Sequence, residues 1–229
     1  MGENIEKEEG QQRRFTVFIS YRHLDNRELR RQWATWLHQA LETYEIPVDL
    51  IGKKNIHGES IPKSLYPVFR DEEELSADPE YKKNIYRALT NSALLVVICS
   101  PRAAASEYVD EEVRYFKQLG RANHILAMII DGEPYVSTDP ARMHLECLPK
   151  SLRYGVVRDD GSLDWSEPTQ LIAADTRPEG KPTQGWTTGA GYRESLEFEK
   201  QLTPKAINEK VAEYEKRLQL AKFVLATRS

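Results

Sequence analysis

Arg14-Phe15-Thr16-Val17-Phe18-Ile19-Ser20 is a β-branched and aromatic run that closes on a serine and opens into the polar turn Tyr21-Arg22-His23. Such residues suit a pleated, half-buried surface, so the run predicts a first strand. Two further runs are apolar without alternation. Ala93-Leu94-Leu95-Val96-Val97-Ile98-Cys99 ends in Ser100-Pro101, and Ile125-Leu126-Ala127-Met128-Ile129-Ile130 ends in Asp131-Gly132. Unbroken apolar strands are what a parallel sheet covered on both faces requires.

Helical periods fill the gaps between these strands. Leu29, Trp33, Trp36, Leu37, Ala40 and Leu41 recur on one face, with Asp25-Asn26 as a candidate cap and Pro47 as the stop. A long loop over 50–64 leads to a short strand, Tyr66-Pro67-Val68-Phe69-Arg70, whose proline predicts an edge or a strand start. The acidic loop 71–79 follows, and then a helix to about Asn91 with Tyr81, Ile85, Ala88 and Leu89 inward. A helix over about 103–119 carries the core stripe Val109, Val113 and Phe116. Strands alternating with helices imply an α/β domain with a central parallel sheet and helices on both faces.

The chain has 229 residues, 40% hydrophobic and 30% charged, with a net charge of −4. That is ordinary globular composition with material for a real core. Residues 1–12 carry four Glu against one Lys and little that is apolar, so they are expected to be a disordered acidic tail. The remainder is near neutral, which disfavours nucleic acid as a partner. Cys99 and Cys147 do not make a disulfide framework. No stretch has the length of a membrane span or the pattern of a signal peptide, so a cytoplasmic protein with no membrane partner is expected. GxGxxG, Walker, GxSxG and HExxH motifs are absent. His144 and Cys147 alone are a weak metal pair, and no metal is expected.

Beyond Pro134 the pattern loosens, with one more strand expected near 170–174. Thr203-Pro204 reads as a cap followed by proline at the first helical position. Ile207, Val211, Tyr214, Leu218 and Leu225 then stripe a long amphipathic helix. The expected organisation is a tail over 1–12, a domain over 13–175 and a C-terminal helical extension over 176–229. The stripe either packs on the domain or docks a partner.

Open parallel sheets bind ligands at the carboxyl ends of their strands. Tyr21, Arg22 and His23, then Asp71 and Ser100, stand at that edge. Tyr108 and Glu112 are one helical turn apart and share a helix face beside the core stripe. A ring and a carboxylate are thereby placed to line one crevice. The ordinary alternative for Glu112 is a solvated helix residue, and Glu111 is expected to be the solvent-facing neighbour.

Phe18-Ile19-Ser20-Tyr21-Arg22, Val68-Phe69-Arg70-Asp71, the run ending in Cys99-Ser100-Pro101, and Tyr108-Val109-Asp110-Glu111-Glu112 stand in this order. Together they resemble a Toll/interleukin-1 receptor (TIR) domain, over roughly Arg14 to Asp131 and more weakly to Asp175. The resemblance implies a flavodoxin-like fold and one of two functions. Some TIR domains cleave NAD+; others act only by association. In the cleaving kind a glutamate four residues after an aromatic one is catalytic, which falls on Glu112, with Tyr108 where tryptophan is usual. Arg22 and His23 would contact the nucleotide's ribose or phosphates, guanidinium being suited to phosphate. The plain alternative is a surface pair that tethers the loop. Loop 71–79 would gate the site and carry self-association, with Ser76 where animal relatives have an acidic residue.

The resemblance makes NAD+ a substrate, with no cofactor implied. The products would be nicotinamide and ADP-ribose, a cyclic ADP-ribose isomer, or an ADP-ribose conjugate. Ile129-Ile130-Asp131-Gly132-Glu133-Pro134 and the run to Cys147-Leu148-Pro149 look like bacterial TIR proteins of anti-phage defence (Thoeris-like). These deplete NAD or make a nucleotide signal, which implies an effector or sensor protein as partner. The alternative is a non-enzymatic TIR scaffold acting by TIR–TIR association.

Overall fold

The computed structural model describes residues 15–55, 58–71, 79–158, 160, 162–179, 184–198 and 202–227. The N-terminal tail and most of loop 71–79, Ser76 included, lie outside these residues.

Five parallel strands form the sheet: β1 (Phe15–Ser20), β2 (Val68–Arg70), β3 (Ser92–Cys99), β4 (Ile125–Ile129) and β7 (Ile172–Asp175), in the order β2-β1-β3-β4-β7. Alternation along the strands sorts the core into two layers. Val17, Ile19, Leu94, Val96, Ile98, Leu126 and Met128 point to one face. Phe18, Leu95, Val97, Cys99, Ala127 and Ile129 point to the other. The first face is covered by α1 (Trp33–Glu42), α6 (Gly189–Phe198) and α7 (Pro204–Thr227). The second is covered by α2 (Pro79–Thr90), α4 (Glu107–Gln118) and the short α5 (Lys150–Arg153).

Several boundaries differ from the sequence reading, each for a visible reason. Asn26 does cap the first helix, accepting from the Ala34 and Thr35 N–H groups at 2.9 and 3.2 Å. It does so across an intervening loop, so the helix begins at Trp33 and Leu29 is 80% exposed. The helix expected over 103–119 is two helices. Ser100 caps α3 (Pro101–Ala104) and Ser106 caps α4, each serine oxygen accepting an N–H three residues on. Two caps in close succession end one helix and start the next.

The antiparallel pair β5 (Tyr154–Val157) and β6 (Leu163–Pro168) and the helix α6 have no clear periodic signal in the sequence. Both depend on partners distant in the chain. Lys117, 1% exposed, reaches from α4 to the carbonyls of Tyr154 and Gly155 at 2.9 and 3.2 Å and to Thr169 Oγ1 at 3.0 Å. The α7 stripe is settled as core. Ile207, Val211, Tyr214, Leu218 and Leu225 are buried in the same cluster as Val17, Val96 and Met128. That stripe is therefore not a free docking face.

Candidate active site

All five strands run parallel, so Ser20, Arg70, Cys99, Ile129 and Asp175 end them on one edge. Glu112 reaches this edge from α4. The stripe Val109, Val113 and Phe116 is buried against β3 and β4, and this fixes the rotation of the helix. Glu112, one residue before Val113, is carried to the flank of the stripe. There its Oε2 accepts a hydrogen bond from the Ser20 hydroxyl at 2.5 Å.

Burial pushes the Glu112 carboxyl up to about 7, against the lowering effect of the Ser20 bond. The negative charges of Asp71 and Glu111 push it the same way as burial. A carboxyl poised near neutrality at the ligand edge of an open sheet is the expected mark of a reacting group.

Asp71 is held beside it by two tyrosines. The Tyr21 hydroxyl donates to the Asp71 carbonyl at 2.5 Å, and the Tyr81 hydroxyl donates to its carboxylate. Glu111 behaves quite differently from Glu112, although adjacent. Burial works to raise its pKa, but bonds from Lys82 at 2.8 Å and Tyr86 at 2.6 Å outweigh this and hold it low. It ties α4 to α2 rather than facing solvent alone.

Tyr108 lies one turn before Glu112 and is 53% exposed, which leaves a ring face open to a ligand. Arg22 is half-buried just past β1. The His23 ring sits 4.8 Å from that of Tyr21, and its Nε2 is buried without a hydrogen-bond partner among the described residues.

Ser100 joins a different group. Its hydroxyl donates to Asp25 Oδ2 at 2.5 Å and accepts from the Ala103 N–H at 3.0 Å. Asp25 is 2% exposed and also meets Arg102 at 3.2 Å. Burial raises the Asp25 pKa, with the Ser100 and Arg102 bonds opposing. The Ser100 hydroxyl is therefore engaged in holding the β3–α3 turn to the segment after β1.

Of the residues expected from sequence, Glu112, Asp71, Tyr21 and His23 fall into one connected group, with Tyr108 on the adjoining helix face. Ser20 is not among the expected site residues, and Asp25 is expected only as part of a helix cap. Ser20 had one signal available: a hydroxyl on the last residue of a strand otherwise rich in apolar side chains. Among the described residues no group of three His, Cys, Asp or Glu side chains is placed to hold a metal, and no helix is long and apolar enough to cross a membrane.

A model of the TIR domain matches residues 17–164. An NAD(+) hydrolase from Actinoplanes sp., ApTIR, is 30% identical over 95 residues. That match covers 40% of this chain and 13% of the relative, so the chain spans only a small part of that protein's length. Among solved structures, the TIR domains of the activated Roq1 resistosome, which recognises the pathogen effector XopQ, align with a TM-score of 0.35 at 20% identity. The alignment covers 53% of this chain and 61% of that one.

Proposed function

The chain belongs to the TIR domain family, and we propose that it is an NAD+ nucleosidase that cleaves the nicotinamide–ribose bond at Glu112. The observation that carries this reading is the Glu112 carboxyl itself. It is part-buried at the carboxyl edge of the sheet, held near neutrality, with an exposed aromatic ring one turn away. The likeness to a protein named as an NAD(+) hydrolase supports it.

The chemistry needs one carboxylate. Nicotinamide leaves a cationic pyridinium as a neutral molecule, so no acid has to protonate it, unlike an ordinary glycoside. What must be stabilised is the oxocarbenium character developing on the ribose. An ionised carboxylate beside it does this, the more strongly for being partly shielded from water. Tyr108 offers a ring for stacking the nicotinamide. Arg22 and His23 contact the ribose or phosphates, and Asp71 borders the substrate from the end of β2.

Capture of the ribosyl cation by water, by a nitrogen of the same nucleotide, or by another nucleophile gives ADP-ribose, its cyclic isomer or a conjugate. The biological setting proposed is bacterial anti-phage defence, by NAD depletion or a nucleotide signal read by a partner protein. Self-association runs through loop 71–79. The test is nicotinamide release from NAD+ by the purified chain at high concentration, beside Glu112→Ala, with mass analysis of the second product. Release that disappears in the variant supports the reading. No release, even with cell lysate added, supports a scaffold acting by association, and release that survives the substitution removes Glu112 from the reaction.

A further inference from the structure

Ser20 is 1% exposed and belongs to the side-chain row of β1 that includes Phe18. A buried hydroxyl is unfavourable unless bonded, and an alanine would fill the same place without that cost. The Ser20 hydroxyl spends its proton on Glu112 Oε2, 92 residues away in sequence, at 2.5 Å. Among the described residues Glu112 takes no other hydrogen bond, so Oε1 is left without one. The carboxylate is thus held by one oxygen and open at the other. A hydroxyl bond to an ionised carboxylate is charge-assisted and directional.

We propose that Ser20 is a positioning residue for Glu112: its hydroxyl pins Oε2, sets the plane of the carboxylate, and leaves Oε1 as the oxygen presented to the ribose. This rests on the NAD-cleavage reading. The groups that face Glu112 are Ser20 at the end of β1, Asp71 after β2 and Glu111 on α4, with Lys82 and Tyr86 of α2 neutralising Glu111. Of the three that act on it directly, Ser20 alone favours the ionised carboxylate. Loss of the hydroxyl therefore raises the Glu112 pKa, by about one unit for a bond to a charged group.

The experiment titrates the glutamate side-chain carboxyls by carbon-13 NMR in the full chain, with Glu112→Gln to assign the signal, and measures nicotinamide release over the same pH range. In the wild type Glu112 titrates near 7. In Ser20→Ala the midpoint moves up by about one unit and the acid limb of kcat moves with it. At neutral pH the ionised fraction, and kcat with it, falls about fivefold, with KM within about twofold. Ser20→Thr, which keeps the hydroxyl, returns both midpoint and profile toward wild type. An unmoved midpoint, or a moved one with unchanged kcat and pH profile, overturns the role given to Ser20 and leaves the reaction standing. A wild-type chain that releases no nicotinamide overturns the reaction, and with it the role given to Oε1.

Discussion

The hydroxyl of Tyr214 accepts a hydrogen bond from the backbone N–H of Trp186 at 2.7 Å, joining α7 to the segment that precedes α6. The same hydroxyl donates to the Thr176 carbonyl at 2.8 Å, just past the end of β7. One buried phenol thereby links three segments, and burial raises its pKa, so it stays protonated. Tyr214→Phe keeps the ring but leaves a buried N–H and carbonyl unpaired. It is expected to lower stability by about 1–3 kcal/mol in a urea titration.

Glu112 makes the fold less stable as pH rises. Its pKa is about 7 in the folded chain against 4.5 for the free side chain. A carboxyl raised on folding binds its proton more tightly in the native state. That stabilising contribution is complete below about 4.5 and is lost as pH rises through about 7. Glu112→Gln removes the titration. The variant should match wild type near pH 4 and exceed it by about 1–3 kcal/mol at pH 8, partial exposure screening the upper figure. Paired denaturation curves at the two pH values check this. Equal stability at pH 8 would mean the carboxyl is not destabilised by its setting. A gain in stability with a loss of nicotinamide release would mark a group kept for its chemistry.

Lys117 gives the opposite slope. Burial lowers its pKa to about 8 from 10.5, so between these values the unfolded chain binds more protons and stability rises with pH. Lys117→Met keeps the length of the side chain but frees the carbonyls of Tyr154 and Gly155. It is expected to cost about 1–3 kcal/mol at neutral pH and to lack the rise above pH 8. Thermal melts across pH 7–10 measure both, and hydrogen exchange should localise the loosening to β5 and β6.

Tyr108 separates binding from folding. Its exposed ring makes little contribution to the core, so Tyr108→Ala should shift stability by less than about 0.5 kcal/mol. Loss of a stacking partner worth about 0.5–1.5 kcal/mol predicts a KM for NAD+ raised about two- to tenfold. Tyr108→Trp should keep or lower KM. A Tyr108→Ala enzyme with unaltered KM would remove the ring from the substrate site.

Much of this protein was determined by local sequence. The unbroken apolar runs at 93–99 and 125–130, short and bounded by Ser-Pro and Asp-Gly, read as strands buried on both faces, and the spacing of Val109, Val113 and Phe116 fixes the buried face of α4. Glu112 and Tyr108 follow from that spacing, because residues four apart must share a helix side. What the periodicity leaves open is anything set by a partner distant in the chain. The hairpin of β5 and β6 depends on Lys117, and α6 and α7 on the open face of the sheet. The pairing of Ser20 with Glu112 and of Ser100 with Asp25 belongs to the same class. A serine at a strand end reads alike in sequence whether its hydroxyl meets water, a helix N-terminus or a carboxylate. Only the packing of α4 across the end of β1 decides that Ser20 meets Glu112, and with it the proton affinity of that carboxyl.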